Sequence, residues 1–246
     1  MKNQNYKLMI ELKDLDIGYS FKKRSPSESR GVFENLNVAF NRGELIGLVG
    51  DNGIGKSTLL KTITGNLKPL RGNVLINGRV IETISTVEIS KSISIVLTDK
   101  IGGFNLTVFD IVASGRIAFL NAFGQLKTED EEIVKQSLEK TGLTELSNKL
   151  IDELSDGQRQ KTMIAKSFAQ QTPVILLDEP TAFLDYTSKQ HLFKLLKHLC
   201  VEQQKTIIVS SHDLEILFKN VDRVLHLKND KTFEYERAEN LKKEFK

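Results

Sequence analysis

Thiols are nearly absent from this chain of 246 residues: Cys200 is the single cysteine. An internal disulfide is therefore excluded, and a reducing compartment fits without being required. Cys200 itself reads as a small apolar filler near a helix end. No sign of charge dominates either, since 35 basic and 32 acidic residues leave a net +3. That balance does not point to nucleic acid as a partner. No run approaches the roughly 18 apolar residues of a spanning helix. The opening stretch, MKNQNYKLMIELKDL, lacks the continuous apolar core of a signal peptide. The expectation is a soluble protein that reaches any membrane through a partner. Internal repeats and low-complexity segments are missing as well. What remains, 39% hydrophobic and 27% charged residues, is ordinary globular composition. The length allows one large domain or two small ones, with a sizeable core.

Alternation of Leu8, Ile10 and Leu12 with polar residues predicts a strand that ends near Tyr19. The charged run Phe21 to Arg30, with Pro26, reads as a solvated loop, with phosphate binding by its basic residues as the alternative, and a second strand follows at Leu36, Val38 and Phe40. ELIGLVG leads into a glycine-rich loop, a helix begins after Lys56, and Gly65 stops it. Asn77-Gly78 between apolar runs predicts a type I′ hairpin. Ser92 to Leu97 is a further strand. From Thr98 to about Glu153 strands give way to helices, one of them opened by a capping box of Thr128 and Glu131 and closed by Gly142. Beyond lie a helix over 156–169, a buried strand over 173–178 and a helix around Leu192 to Leu199. A buried strand over 206–211, a short helix and a last strand near Val224 to Leu227 follow, before a solvated terminal helix. Apolar strands alternating with helices imply a parallel sheet covered on both faces, interrupted by a helical insertion.

Three motifs carry chemistry. Gly50, Asp51, Asn52, Gly53, Ile54, Gly55, Lys56 and Ser57 match G-x-x-x-x-G-K-[ST] between a predicted strand and a predicted helix. Such glycines turn backbone N–H groups inward around phosphate oxygens, and the following helix points its positive end at them. Lys56 should reach the β- and γ-phosphates of ATP, Ser57 should ligate Mg²⁺, and Thr58 should bond the α-phosphate. The run VILLDE delivers Asp178 at the carboxyl end of a buried strand, where open α/β sheets bind ligands. Asp178 would hold Mg²⁺ through water, and Glu179 would orient and deprotonate an attacking water. Ser155 and Gln158 are spaced as a capping box, with Asp156 suited to the first turn of the helix. With Gly157 they make a second helix start fit for an anion.

In this order, GDNGIGKST, LSDGQ, VILLDEP, AFLD and SSHD, the motifs make the chain resemble the ATP-binding cassette (ABC) family over nearly its whole length. The resemblance implies one domain over 1–246. It would have a P-loop NTPase (RecA-like) α/β core, with an N-terminal antiparallel β subdomain, over about 1–97 and 154–246. A helical subdomain would be inserted over about 98–153. It implies a head-to-tail dimer with a second copy, in which Ser155, Asp156, Gly157 and Gln158 of one chain clamp ATP held by the other. His212 would contact the γ-phosphate, Asp185 would organise the dimer loop, and Tyr19 would stack on adenine. Taken without the family, a histidine such as His212 after a buried strand is more often structural, and Tyr19 also admits simple strand-end packing.

Three departures stand out. Asp156 replaces a glycine, and its carboxylate should turn away from phosphates, toward its own helix turn. Ala182 stands where serine is commoner. No glutamine follows the strand into the insertion, so Thr98 or Asp99 is expected near Mg²⁺ in its place. The segment from Asn105 to Asn121 is similar to that of cassettes driving type II importers of ferric siderophores, haem, cobalamin or related iron chelates. It implies a permease docked on the insertion, at the cytoplasmic face of the cell membrane. A soluble ABC ATPase without a permease, a cassette for another cargo and an interaction protein that only switches shape are the alternatives. The presence of Glu179 argues against the last.

Overall fold

The computed structural model describes residues 8–20, 29–98, 105–121, 124–242 and 245. Two long strands come first, β1 (Leu8–Ser20) and β2 (Ser29–Asn41), paired antiparallel. Their apolar residues change phase: Ile10 and Leu12 are followed by Leu15 and Ile17, all buried. A bulge absorbs the extra residue, with Asp14 at a φ of 46°. Ser29 and Arg30 belong to β2 rather than to the charged loop expected over 21–30. The remainder of that loop, 21–28, lies outside the described residues.

β3 (Leu45–Val49) is buried at every position and feeds the glycine-rich loop and α1 (Lys56–Ile63). β4 (Arg71–Ile76) and β5 (Arg79–Val80) close the expected hairpin, with Asn77 and Gly78 at φ of 49° and 76°. These strands complete an antiparallel sheet ordered β2-β1-β4-β5. α2 (Thr86–Ser92), opened by a capping box of Ser85 and Glu88, precedes β6 (Ile93–Val96).

Helices then take over: α3 (Val108–Ala113), a 3₁₀ segment over Ser114–Phe119 and α4 (Thr128–Thr141). α5 (Asp156–Ala169) returns the chain to the core. The expected capping box of Thr128 and Glu131 is not the one that forms. Lys127 is the N-cap, and its N–H donates to Asp130 Oδ2 at 3.2 Å. Asp130 is claimed by a partner that local spacing does not reveal. Arg116 Nε lies 2.8 Å from its Oδ1, and Arg116 also donates to the Ala169 carbonyl and stacks on Phe119. This buried ion pair clamps the 3₁₀ segment between α4 and α5.

β7 (Val174–Leu177), α6 (Tyr186–Gln203), β8 (Thr206–Ser210), α7 (Leu214–Asn220) and β9 (Arg223–Leu227) follow. β9 is not the last strand: β10 (Phe233–Arg237) pairs antiparallel with it. Nor is the end fully solvated, because α8 (Ala238–Leu241) buries Ala238 and Leu241. The second sheet runs β10-β9-β3-β8-β7-β6, parallel apart from β10. Packed apolar side chains fill the space between the two sheets and around α1. Another core lies under α6 and α7, and a third binds α3 and α4 to α5. Burial in α6 pushes the Cys200 thiol up to about 12, so it packs as an inert filler. Among the described residues no helix is long and apolar enough to cross a membrane.

Candidate active site

Strands β3, β7 and β8 end on one side of the parallel sheet, and the loops leaving them converge there. The loop after β3 needs glycine at two points. At Gly50 (φ 152°) a Cβ would sit 2.6 Å from the Leu227 carbonyl oxygen, and at Gly55 (φ 123°) 2.3 Å from Val32. So shaped, the loop folds back on Lys56, whose Nζ donates to the carbonyls of Gly50 (2.6 Å) and Asp51 (3.1 Å). Burial lowers the Lys56 pKa against the opposing pull of Glu179, Asp178 and Asp51. The Ile54 N–H closes the turn on the Asp51 carbonyl, and the Asp51 side chain is tied to Asn229 in the β9–β10 turn at 2.5 Å.

The buried run of β7 carries Asp178 to the same place. Ser57 Oγ donates to Asp178 Oδ2 at 2.5 Å, and Ser210 Oγ, from β8, donates to Oδ1 at 2.7 Å. Glu179 follows at a φ of 49°, its N–H donating to Ser210 Oγ at 2.9 Å. The His212 N–H donates to Glu179 Oε2 at 3.2 Å, and its Nε2 stands 3.2 Å from Oε1. Oε1 is buried without an aligned hydrogen bond. Burial raises the Glu179 pKa, although His212 and Lys56 pull it down.

A cleft of about 500 Å³ opens over these groups. Asn52, Gly53, Gly55, Lys56, Ser57, Thr58, Asp178, Glu179 and His212 line it, and so does Thr98. Asp99 lies outside the described residues. Tyr19 closes one end, its hydroxyl 3.2 Å from Thr58 Oγ1. Arg30 and Val32 of β2 line the cleft too. Sequence reasoning placed Arg30 in a solvated loop, with phosphate binding by its basic residues as the alternative, and did not single out Val32, Ser210 or Asn229. The basic character of the segment around Arg30 was the one available signal.

The start of α5 is built as expected but elsewhere. Ser155 N–H donates to Gln158 Oε1 (3.0 Å) and Gln158 N–H to Ser155 Oγ (3.3 Å). Asp156 turns toward Arg159 of its own helix, 3.6 Å away. A Cβ on Gly157 would sit 2.7 Å from the Phe183 carbonyl oxygen, so this glycine lets α5 approach the loop that ends at Asp185. Asp185 caps α6, accepting the Ser188 N–H at 2.8 Å, and the bonds from Ser188 lower its pKa. None of Ser155, Asp156, Gly157, Gln158 or Asp185 lines the cleft.

The family model for the ABC transporter matches residues 33–182. The chain belongs to the ABC transporter family. It has the fold of that family's ATPase cassettes, a P-loop NTPase core with an antiparallel β subdomain and a helical region. An uncharacterized ABC transporter ATP-binding protein of Methanocaldococcus jannaschii is 39% identical over 96% of this chain and 78% of its own length. The iron(3+)-hydroxamate import ATP-binding protein of Bacillus subtilis is 38% identical over 83% of this chain and 73% of its own. Among solved structures, a dimeric bacterial ABC transporter cassette is 27% identical with a TM-score of 0.80, covering 94% of this chain and 99% of that one. A dimeric post-hydrolysis state of an ATP-binding cassette bound to ADP and Pi is 26% identical with a TM-score of 0.79, over 94% and 99%.

Proposed function

We propose that this ABC ATPase powers a membrane importer of ferric siderophore, haem, cobalamin or a related iron chelate, working from the cytoplasmic face of the cell membrane. The observation that carries the ATPase reading is the meeting of Lys56, Ser57, Asp178, Glu179 and His212 in one cleft. The importer reading is supported by the Asn105 to Asn121 segment and by the import function named for the Bacillus subtilis relative.

ATP is the substrate. Backbone N–H groups from Gly50 to Thr58 take the phosphates, with Lys56 at the β- and γ-phosphates and Tyr19 against adenine. Ser57 and Asp178 fit Mg²⁺: a hydroxyl and a carboxylate oxygen already converge at 2.5 Å, both hard donors, and phosphate oxygens and water complete such a set. Bound there, Mg²⁺ would neutralise charge on the phosphates. Glu179 Oε1, buried and without an aligned partner, takes the proton of the attacking water. The water oxygen bonds to the γ-phosphorus as the bridge to the β-phosphate breaks, and that electron pair leaves with ADP. His212, anchored on Glu179, faces the γ-phosphate. Thr98, which lines the cleft, or Asp99 would stand in near Mg²⁺ for the missing glutamine. Ser155, Asp156, Gly157 and Gln158 act on the ATP of a second copy, Asp185 organises the loop between the copies, and the helical region receives the permease.

Multiple-turnover phosphate release from ATP and Mg²⁺ tests the ATPase. Glu179→Gln should cut the rate about 100-fold or more while ATP binding persists; a variant as fast as the parent would sink the base assignment. Reconstitution with a permease in vesicles tests the importer, by ATP-dependent uptake of ferric siderophore.

A further inference from the structure

We propose that Ser210 is a positioning residue that sets both carboxylates of the site. The inference rests on the ATPase reading above and deepens it. Ser210 ends β8, and its side chain is fully buried. β8 runs parallel to β7 with Val209 opposite Leu177, so the next residue of β8 meets the turn where β7 delivers Asp178 and Glu179. One hydroxyl carries one proton and two acceptor lone pairs. Here the proton goes to Asp178 Oδ1 at 2.7 Å, and the Glu179 N–H comes to the oxygen at 2.9 Å. Both partners are thus engaged by a single atom, in the one sense that satisfies all three.

Each bond has a consequence. The first fixes the rotation of the Asp178 carboxylate, leaving Oδ2 against Ser57 on the metal side. The second holds a backbone that a side chain rarely adopts, since Glu179 sits at a φ of 49°. That left-handed turn carries the Glu179 carboxylate under His212. Removing the hydroxyl frees Oδ1 and leaves the Glu179 N–H without its partner. The orientation of the metal ligand and the aim of the general base should then loosen together. Ser211, the next residue, does not substitute. Its hydroxyl is taken by Thr181 at 3.2 Å and by the Asp213 N–H at 3.1 Å.

The test compares Ser210→Ala and Ser210→Thr with the parent, each first shown to fold by its thermal transition. Removing an outer partner of a metal ligand typically costs 10- to 100-fold, so Ser210→Ala should lose about that much kcat, with the KM for ATP within about threefold. Amide-resolved hydrogen exchange of the nucleotide-free, metal-free chain supplies an independent readout. The Glu179 amide should exchange at least about tenfold faster in Ser210→Ala, and Ser210→Thr, which keeps the hydroxyl, should recover both readouts. Unchanged kcat, a loss confined to KM, or unchanged protection of the Glu179 amide would each overturn the proposal. So would a folded Ser210→Thr chain as impaired as Ser210→Ala. If the parent itself releases no phosphate, the ATPase reading has failed, and the exchange readout alone decides the role of Ser210. If Ser210→Ala does not fold, Ser210→Cys carries the same measurements.

Discussion

Thr98 is the residue on which the departure from the family pattern turns. It lines the same cleft as Ser57 and Asp178. Thr98→Ala is expected to slow phosphate release about tenfold and to leave ATP binding intact. A rate equal to the parent's would remove Thr98 from the mechanism. The convergence of Lys56, Ser57, Asp178 and Glu179 in one cleft was legible in the sequence because each lies in a short contiguous motif whose spacing suits phosphate and metal geometry. The supports around them were not. Ser210 is 32 residues from Asp178, and Asn229 is 178 residues from Asp51. No local rule relates such pairs; the sheet order brings them together. Arg30 was only half legible for a related reason, because a charged segment reads first as solvated until the strand it belongs to is seen to border the cleft.

Among the elements, the helical insertion depends on a pair that spacing alone misassigned. Thr128 and Glu131 satisfy the capping rule, but Asp130 does two jobs: it accepts the Lys127 N–H and it pairs with Arg116. Burial pushes the Asp130 carboxyl up, yet the bonds from Arg116 and Lys127 and the charge of Arg116 outweigh it and hold the pKa below the ordinary 3.8. A group with a lowered folded pKa contributes stability above its unfolded value and loses it as pH falls through the folded one. Asp130→Asn leaves Arg116 buried and unpaired, which should cost about 3 to 5 kcal/mol at pH 7. Urea unfolding should show that gap closing once the pH drops below the ordinary 3.8 of an aspartate. A gap that stays constant with pH would assign the loss to packing instead. Strand β10 escaped for another reason. Its inward residues, Phe233 and Tyr235, are separated and followed by Glu and Arg, and a half-buried edge strand offers little periodic signal. The buried strands β3, β7 and β8 were plain, since both faces are covered and every position is apolar or small.

For the whole molecule, the decisive fact is a separation. The cleft holds the glycine-rich loop, both carboxylates and His212, while the α5 start, a helix N-terminus of the kind that suits an anion, does not line it. Within this one chain the two features do not share the cleft. On the head-to-tail reading two copies bring them together, and solved cassettes of this fold are dimeric. The composite site makes an asymmetric prediction. Lys56→Met spoils the loop and spares the α5 start, whereas Ser155→Arg does the reverse. A pair made of one chain of each kind has one site with both halves intact and one site with neither. Each variant alone, in a Glu179→Gln background that blocks turnover, should therefore stay monomeric with ATP in size-exclusion chromatography. Mixed in equal amounts, the two should yield an ATP-dependent dimer, because one complete sandwich of loop, ATP and opposing helix start forms across the interface. Mixtures no more dimeric than the separate variants would mean that each chain completes its own site, and the half-site reading of Ser155 to Gln158 would have to be given up.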